Sequence, residues 1–108
     1  MTTFDERERA FEAKFARDQE MQFKITARRN RLLGIWAAER MGLSEAEAES
    51  YARDVVRADF EEAGDEDVIR KLVGDLTVAG VDVDEAEIRA RIEEKTIAAR
   101  RQLIEAME

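Results

Sequence analysis

The sequence predicts an all-α fold: a small four-helix bundle with a long, partly projecting or frayed N-terminal helix. The 108 residues include no proline, so no position forbids a long helix. Hydrophobic residues make up 44% and charged residues 41%, a mixture typical of helices that bury one face and solvate the other. Capping signals and glycines divide the chain into four segments, none with the alternation of a strand. A chain of this length forms one domain, residues 1–108.

The first helix is predicted over about Phe4 to Met41. Thr3 and Glu6 have the spacing of a capping box at its start, and Gly42 is placed to end it. Helical spacing assigns to its buried stripe the residues Ile25, Leu32, Leu33 and Trp36. At 1.5 Å per residue the helix is roughly 55 Å long, more than the other helices can cover. Its highly charged N-terminal half is therefore expected to project or fray.

Three shorter helices follow, joined by connections of about two to five residues that favour packing between sequence neighbours. The second helix is predicted to start at the capping box of Ser44 and Glu47 and to end at Gly64. The third is predicted to start at Asp65 and to end near Gly80, and the fourth to start at Asp84 with Glu87. Gly74 inside the third helix is interpreted as a close helix contact. The predicted inward residues are Ala48, Tyr51, Ala52, Val55, Val56 and Phe60, then Val68, Ile69, Leu72, Val73 and Leu76, then Ile88, Ile92, Ala99 and Leu103, with Val81 and Val83 over the end of the bundle.

Composition excludes several classes of function. Without cysteine or histidine the chain has no disulfide, no thiolate or zinc site, and no imidazole for acid–base catalysis. Its net charge of −8 opposes general binding to nucleic acid. No apolar run approaches the roughly 20 residues of a membrane span, and the N-terminus lacks a secretory signal. We therefore expect a cytoplasmic protein that does not insert into the membrane directly.

Four of the five phenylalanines lie in the first 23 residues. At about 100° per residue, Phe4, Phe11 and Phe15 share one narrow stripe of the first helix. An aromatic face of a helix usually belongs to a core. Here, however, the bundle is too short to cover it. The stripe is therefore predicted to be a binding element.

Acidic residues in the middle of the chain suggest a cation site only at first glance. The run Glu61, Glu62, Asp65, Glu66 and Asp67 lacks the alternating oxygen ligands and central glycine of an EF-hand. Carboxylates at helix starts are explained by capping and by the helix dipole. Asp82 and Asp84 are assigned the same structural role, so no metal site and no catalytic residue is predicted.

A cluster of cations follows the aromatic stripe. Residues 21–40 carry five cations against one anion, whereas residues 41–84 are strongly acidic. The cations form either a solvated helix face or a weak nucleotide contact through Lys24, Arg28, Arg29 and Arg31. No glycine-rich phosphate-binding motif accompanies them. The alternative function is thus a helical adaptor or nucleotide-sensing module that binds the phosphates of ATP or ADP weakly through this cluster.

Three long segments carry a resemblance to a known family. FDERERAFEAKFARDQEMQFK, ARRNRLLGIWAA and YARDVVRADFEEAGDEDVIRKLVGDL resemble the zeta subunit of the alphaproteobacterial F-type ATP synthase, the intrinsic inhibitor of its ATPase activity. The resemblance covers essentially the whole chain. It implies a four-helix bundle, residues 21–108, preceded by a mobile inhibitory segment, residues 1–20.

The resemblance also implies a mechanism without catalysis or a cofactor. The N-terminal amphipathic helix would enter an interface between alpha and beta subunits, near the central shaft, and block ATP hydrolysis and rotation. The implied inhibitory positions are Phe4, Arg7, Glu8, Phe11, Glu12, Lys14, Phe15, Ala16 and Asp18. The partners are then the alpha, beta and central-shaft subunits of the catalytic head. The free protein is expected to be a monomer, and the bound one peripheral to the membrane-bound enzyme.

Overall fold

The computed structural model describes the backbone of residues 3–61 and 64–106 and the side chains of residues 18–59 and 64–106. Four helices make up these ranges, which contain no strand. They are α1 (Thr3–Arg40), α2 (Glu45–Glu61), α3 (Glu66–Val78) and α4 (Glu85–Ala106). The predicted four-helix bundle is confirmed, and the first and fourth helices are the two longest, as expected.

The other three helices all pack against α1. It contacts α2 and α4 extensively and α3 to a smaller extent, while α3 also contacts α2 and α4. Consecutive helices lie side by side, as the short connections predict. In the described part of the chain the backbones of α2 and α4 do not come close to each other, so the two helices occupy opposite corners of the bundle.

The core contains the predicted apolar stripes. Every residue predicted to face inward on α3 and α4 is buried or half-buried, and Val81 and Val83 pack against the core from the connection. Tyr51 and Trp36 pack at its edge. The side chain of Phe60, also predicted to face inward, lies outside the described residues. The buried cluster consists of Leu33, Ala37, Val55, Val68, Ile69, Leu72, Leu76, Ile88 and Ile92.

The described part of α1 contributes fully buried side chains only from Ile25 onward. Between residues 18 and 24, Met21 is half-buried and the other side chains are exposed. The 38 residues of α1 span about 57 Å and the 17 residues of α2 span about 25 Å. As predicted, the first helix is longer than the helices that pack on it.

Two of the predicted helix starts are confirmed. The backbone N–H of Ser44 donates to Oε1 of Glu47 at 2.9 Å, and the N–H of Glu47 donates to Oγ of Ser44 at 3.2 Å, which completes a capping box. At α4 the N–H of Glu87 donates to Oδ1 of Asp84 at 2.8 Å, but the Glu87 carboxylate accepts from Arg40 instead of closing the box. The predicted box of Thr3 and Glu6 lies outside the described side chains.

The prediction that Asp65 caps α3 through its side chain is wrong. Its backbone is already helical, with φ −80° and ψ −12°, and its carboxylate accepts no hydrogen bond from the start of the helix. An N-cap residue needs an extended backbone to aim its side chain at those N–H groups. The carboxylate forms an ion pair with Arg29 at 3.0 Å instead, and so ties the start of α3 to α1.

The glycines predicted to end helices have positive φ angles, as a left-handed C-cap requires. At Gly42, the N–H of Leu43 donates to the carbonyl of Ala38 and the N–H of Gly42 to that of Glu39. The same pair of bonds recurs at Gly80. This Schellman pattern satisfies the last carbonyls of α1 and α3 and turns the chain sharply.

The close helix contact occurs at Gly34, and its prediction at Gly74 was wrong. A Cβ added to Gly34 would lie 2.6 Å from the Cα of Ala52, so the backbones of α1 and α2 approach each other there. A Cβ added to Gly74 would meet nothing within 4 Å. Gly74 is exposed, and no packing in the described residues requires it.

These two glycines make a matched pair of substitutions. Gly34→Ala should lower the free energy of unfolding, because overpacking costs about 1–3 kcal/mol and exceeds the gain in helix propensity. Gly74→Ala should raise it by about 0.5–1 kcal/mol. Urea unfolding followed by circular dichroism measures both changes. If the two variants are stabilised equally, the close approach of α1 to α2 does not exist.

Candidate functional site

The predicted inhibitory positions all lie in the N-terminal half of α1. The backbone is helical from Thr3, which confirms the assumption that the phenylalanines of the predicted stripe lie on a helix. Asp18 is exposed. The other eight positions, Phe4, Arg7, Glu8, Phe11, Glu12, Lys14, Phe15 and Ala16, lie outside the described side chains. Their role therefore stays a prediction.

The predicted cation cluster divides into two parts, because Arg29 is buried inside the bundle. Only 7% of Arg29 is exposed, and its Nε and Nη2 donate to Oδ1 of Asn30 at 3.0 and 2.8 Å. Its Nη2 also lies 3.0 Å from Oδ1 of Asp65. A guanidinium held in this way links α1 to the turn between α2 and α3, and a phosphate would have to displace these contacts to reach it.

Asp59, near the end of α2, lies beside this buried guanidinium. Burial is the main influence on its carboxyl group and raises the pKa of Asp59, although the charge of Arg29 acts in the opposite direction. The neighbouring carboxylate of Asp65 raises the pKa of Asp59 further. Nδ2 of Asn30 makes no hydrogen bond of good geometry within the described residues, yet its proximity favours the charged form of Asp59.

The other three cations of the cluster are exposed. Nη2 of Arg31 donates to both carboxylate oxygens of Glu49, at 2.7 and 2.9 Å, and so connects α1 to α2. Nη1 of Arg28 donates to Oε1 of Gln102 on α4 at 3.3 Å. Lys24 has no carboxylate partner among the described residues.

Two adjoining depressions collect these exposed cations with two more from α2. One of about 420 Å³ is lined by Phe23, Lys24, Ala27, Arg28, Arg31, Val56 and Leu103. The other, of about 320 Å³, is lined by Arg31, Ala52, Arg53, Val56 and Arg57. Since the depressions share Arg31 and Val56, they form one surface, which we call the arginine groove.

Sequence reasoning missed Arg53 and Arg57. Both lie in residues 41–84, whose summed charge is acidic. Because only the summed charge of this stretch was considered, the two arginines were not singled out. The available signal was their spacing of four residues, which places both on one face of a helix. Only the packing of α2 on α1 brings that face next to Arg31.

In the acidic run, Asp65, Glu66 and Asp67 pair with arginines, whereas the side chains of Glu61 and Glu62 lie outside the described residues. Glu66 accepts from Arg89 at 3.0 Å, and Asp67 accepts from Arg70 at 3.0 Å. Within the described ranges, no group of three or more Asp or Glu residues could hold a metal ion. These ion pairs join α3 to α4 at Glu66 and lie within α3 at Asp67. The predicted capping role is confirmed at Asp84, whose Oδ1 accepts from the N–H of Glu87.

Tyr51 joins two helices. Its hydroxyl donates to Oδ2 of Asp75 at 2.7 Å, and Nζ of Lys71 lies 3.1 Å from the same carboxylate oxygen. Burial, and then the hydrogen bond to Asp75, raise the pKa of Tyr51 well above its usual range. The phenol therefore stays protonated and connects α2 to α3.

A family comparison decides what kind of protein this geometry belongs to. The sequence model of the family described as ATPase inhibitor subunit zeta matches residues 1–102. The chain belongs to the ATPase inhibitor subunit zeta family. The resemblance seen in the sequence is thereby confirmed, and family membership supports an inhibitor role and association with the F-type ATP synthase.

A solved structure supports the fold. A protein determined by solution NMR is 52% identical in sequence, covers 80% of this chain and 98% of its own, and has a TM-score of 0.71. No curated protein matches the chain. Among the described residues, no helix of this zeta-family chain is both long and apolar enough to cross a membrane.

The raised pKa of Asp59 predicts a pH-dependent effect of Asp59→Asn. When the pKa of Asp59 is higher in the folded state than in the unfolded state, ionisation of Asp59 disfavours folding. The resulting loss of folding free energy is fully present at pH 7 and vanishes below the unfolded-state pKa of about 3.9. Asp59→Asn should therefore raise the melting temperature at pH 7, and the gain should shrink as the pH falls towards 3.

Thermal melts from pH 7 to pH 3 test this prediction. Asp82→Asn is the control, since Asp82 is exposed in the connection before α4. The control should show no comparable gain. A lower melting temperature for Asp59→Asn at pH 7 would show that attraction to Arg29 outweighs burial.

Proposed function

We propose that this chain is a non-catalytic inhibitor of the F-type ATP synthase whose N-terminal half of α1 is the inhibitory element. The amphipathic helix enters an interface between alpha and beta subunits of the catalytic head, close to the central shaft. There it holds the interface open, which blocks ATP hydrolysis and rotation without any chemistry by the inhibitor. The chain would act in the cytoplasm, peripheral to the membrane-bound enzyme.

The observation that carries this proposal is the division of α1. Fully buried side chains in its described part begin at Ile25, yet the helix begins at Thr3. Of the helical residues before Ile25, the side chains of residues 18–24 are described, and all of them are exposed except that of Met21, which is half-buried. A helix that is attached to a folded body at one end and extends beyond it at the other has the form of a helix-in-groove ligand.

Burial of the stripe supplies part of the free energy of binding, since association itself costs about 4–15 kcal/mol. Burial of three phenylalanines contributes roughly 5–9 kcal/mol before costs, at about 1.5–3 kcal/mol each. A segment that is helical before it binds loses less conformational entropy than one that must fold on its partner. The charged residues that flank the stripe would add orientation and specificity rather than most of the affinity.

Substitution within the stripe tests the proposal in the full-length chain. Phe11→Ala or Phe15→Ala should raise the concentration for half-maximal inhibition of ATP hydrolysis by roughly 10- to 100-fold, which corresponds to about 1.5–3 kcal/mol of lost burial. The assay uses the purified catalytic head, with circular dichroism to verify that each variant is folded.

Val78→Ala is the matched control. Val78 is 91% exposed at the end of α3, so its truncation removes an apolar side chain from the surface and should leave inhibition unchanged. Inhibition by the phenylalanine variants at the wild-type concentration would exclude the stripe as the inhibitory contact.

A second candidate activity, weak binding of ATP or ADP, is favoured by the position of Lys24, Arg28 and Arg31 on one groove. Titration with ATP and with ADP, followed by NMR, should shift the signals of these three residues. It should leave Arg29 unchanged, because its guanidinium is already bound to Asn30 and Asp65. Absence of a saturable shift at the three exposed cations would reject this activity.

A further inference from the structure

We propose that the arginine groove is a second docking surface, and that it binds an acidic amphipathic helix presented by the catalytic head. The inference rests on the proposed function, because it assigns the part of the partner that the body of the bundle contacts. It concerns the residues that line the groove, none of which belongs to the phenylalanine stripe.

The shape of the groove fits the side of a helix. Along α1 it extends from Phe23 to Arg31, about 12 Å or two helical turns. Val56 and Leu103 contribute apolar surface from the two flanking helices. Phe23 is 57% exposed at one end, which makes it one of the few large apolar side chains on the described surface. Such a surface accepts apolar side chains spaced one turn apart.

The charge of the groove selects an acidic partner. Among the described residues, its lining includes five cations, Lys24, Arg28, Arg31, Arg53 and Arg57, and no carboxylate, although the whole chain carries a net charge of −8. Of these, Arg31 is paired with Glu49, while Lys24, Arg53 and Arg57 have no carboxylate partner in the described part of the chain. A concentration of one sign of charge around an apolar floor is the arrangement expected where a partner carries the opposite sign.

The apolar floor and the net charge together favour a protein helix over a polyanion. Nucleic acid would meet repulsion from the rest of an acidic chain and would leave the apolar floor without a partner. An acidic amphipathic helix matches both features, since its apolar stripe can cover the floor and its carboxylates can reach the guanidinium groups, which bind them bidentately.

Charge reversal in the groove tests the inference. Arg53→Glu combined with Arg57→Glu should weaken binding of the full-length chain to the purified catalytic head at least tenfold at low ionic strength. The effect should shrink as salt is added, because exposed charges are screened. Both arginines are exposed, so the fold should tolerate the change. The milder pair Arg53→Gln and Arg57→Gln should act in the same direction.

The matched control is Arg100→Glu combined with Arg101→Glu on α4. This pair is exposed and makes the same change in net charge outside the groove. Its affinity for the head should stay within about twofold of wild type. Equal loss in both double variants would indicate a general charge effect, and loss in the control alone would place the docking surface on α4. Either result overturns the proposal.

Cross-linking identifies the occupant. A photoreactive benzophenone side chain at position 56 should attach to an acidic helical segment of the head. Attachment to a second copy of this chain, or to a segment that is not acidic, would overturn the inference. The two proposals also fail separately. If Phe11→Ala abolishes inhibition while the groove variants bind like wild type, only the docking surface is rejected. If Phe11→Ala inhibits normally, the inhibitory-helix proposal is rejected.

Discussion

The contact of α1 with α2 at Gly34 determines where the charged surface of this protein lies. Because Gly34 has no side chain, the backbone of α2 approaches α1 at Ala52, to a distance that a Cβ would prevent. The same approach places Arg53, the residue after Ala52, and Arg57, one turn further along α2, beside Arg31 of α1. A separation of the two helices would widen the groove and remove its shared floor at Val56. The close approach of α1 and α2 therefore accounts both for the tight packing at Gly34 and for the position of the basic surface.

A second constraint comes from the buried charge of Arg29. Its guanidinium needs acceptors, since an unpaired charge inside a protein is strongly unfavourable. Asn30 and Asp65 provide them, and Asp59 lies close by with its pKa raised by burial. One side chain of α1 thereby holds the start of α3. The result is a set of connected helices behind the long helix, the kind of body that the proposed inhibitory segment would need to resist the motion of a motor.

The two proposed contact surfaces of this zeta-family chain would have different tasks. In the proposals made above, the N-terminal half of α1 blocks the catalytic interface and the arginine groove holds the bundle against the outside of the head. Two contacts on one rigid chain increase each other's effective concentration, so neither has to be strong alone. Under these proposals, the second contact would supply part of the affinity that the three phenylalanines do not provide.

The sequence by itself determined the four helices, most of their ends and the residues of the core, because helical periodicity, capping boxes and C-terminal glycines act within a few residues of one another. It also identified the family through three long motifs. Only the tertiary structure decided that Asp65 pairs with Arg29 instead of capping a helix, that Gly34 rather than Gly74 lies at a close contact, and that Arg53 and Arg57 join Arg31. Those outcomes depend on which helices meet and at what distance, and contacts between residues far apart in the chain leave no local pattern in the sequence.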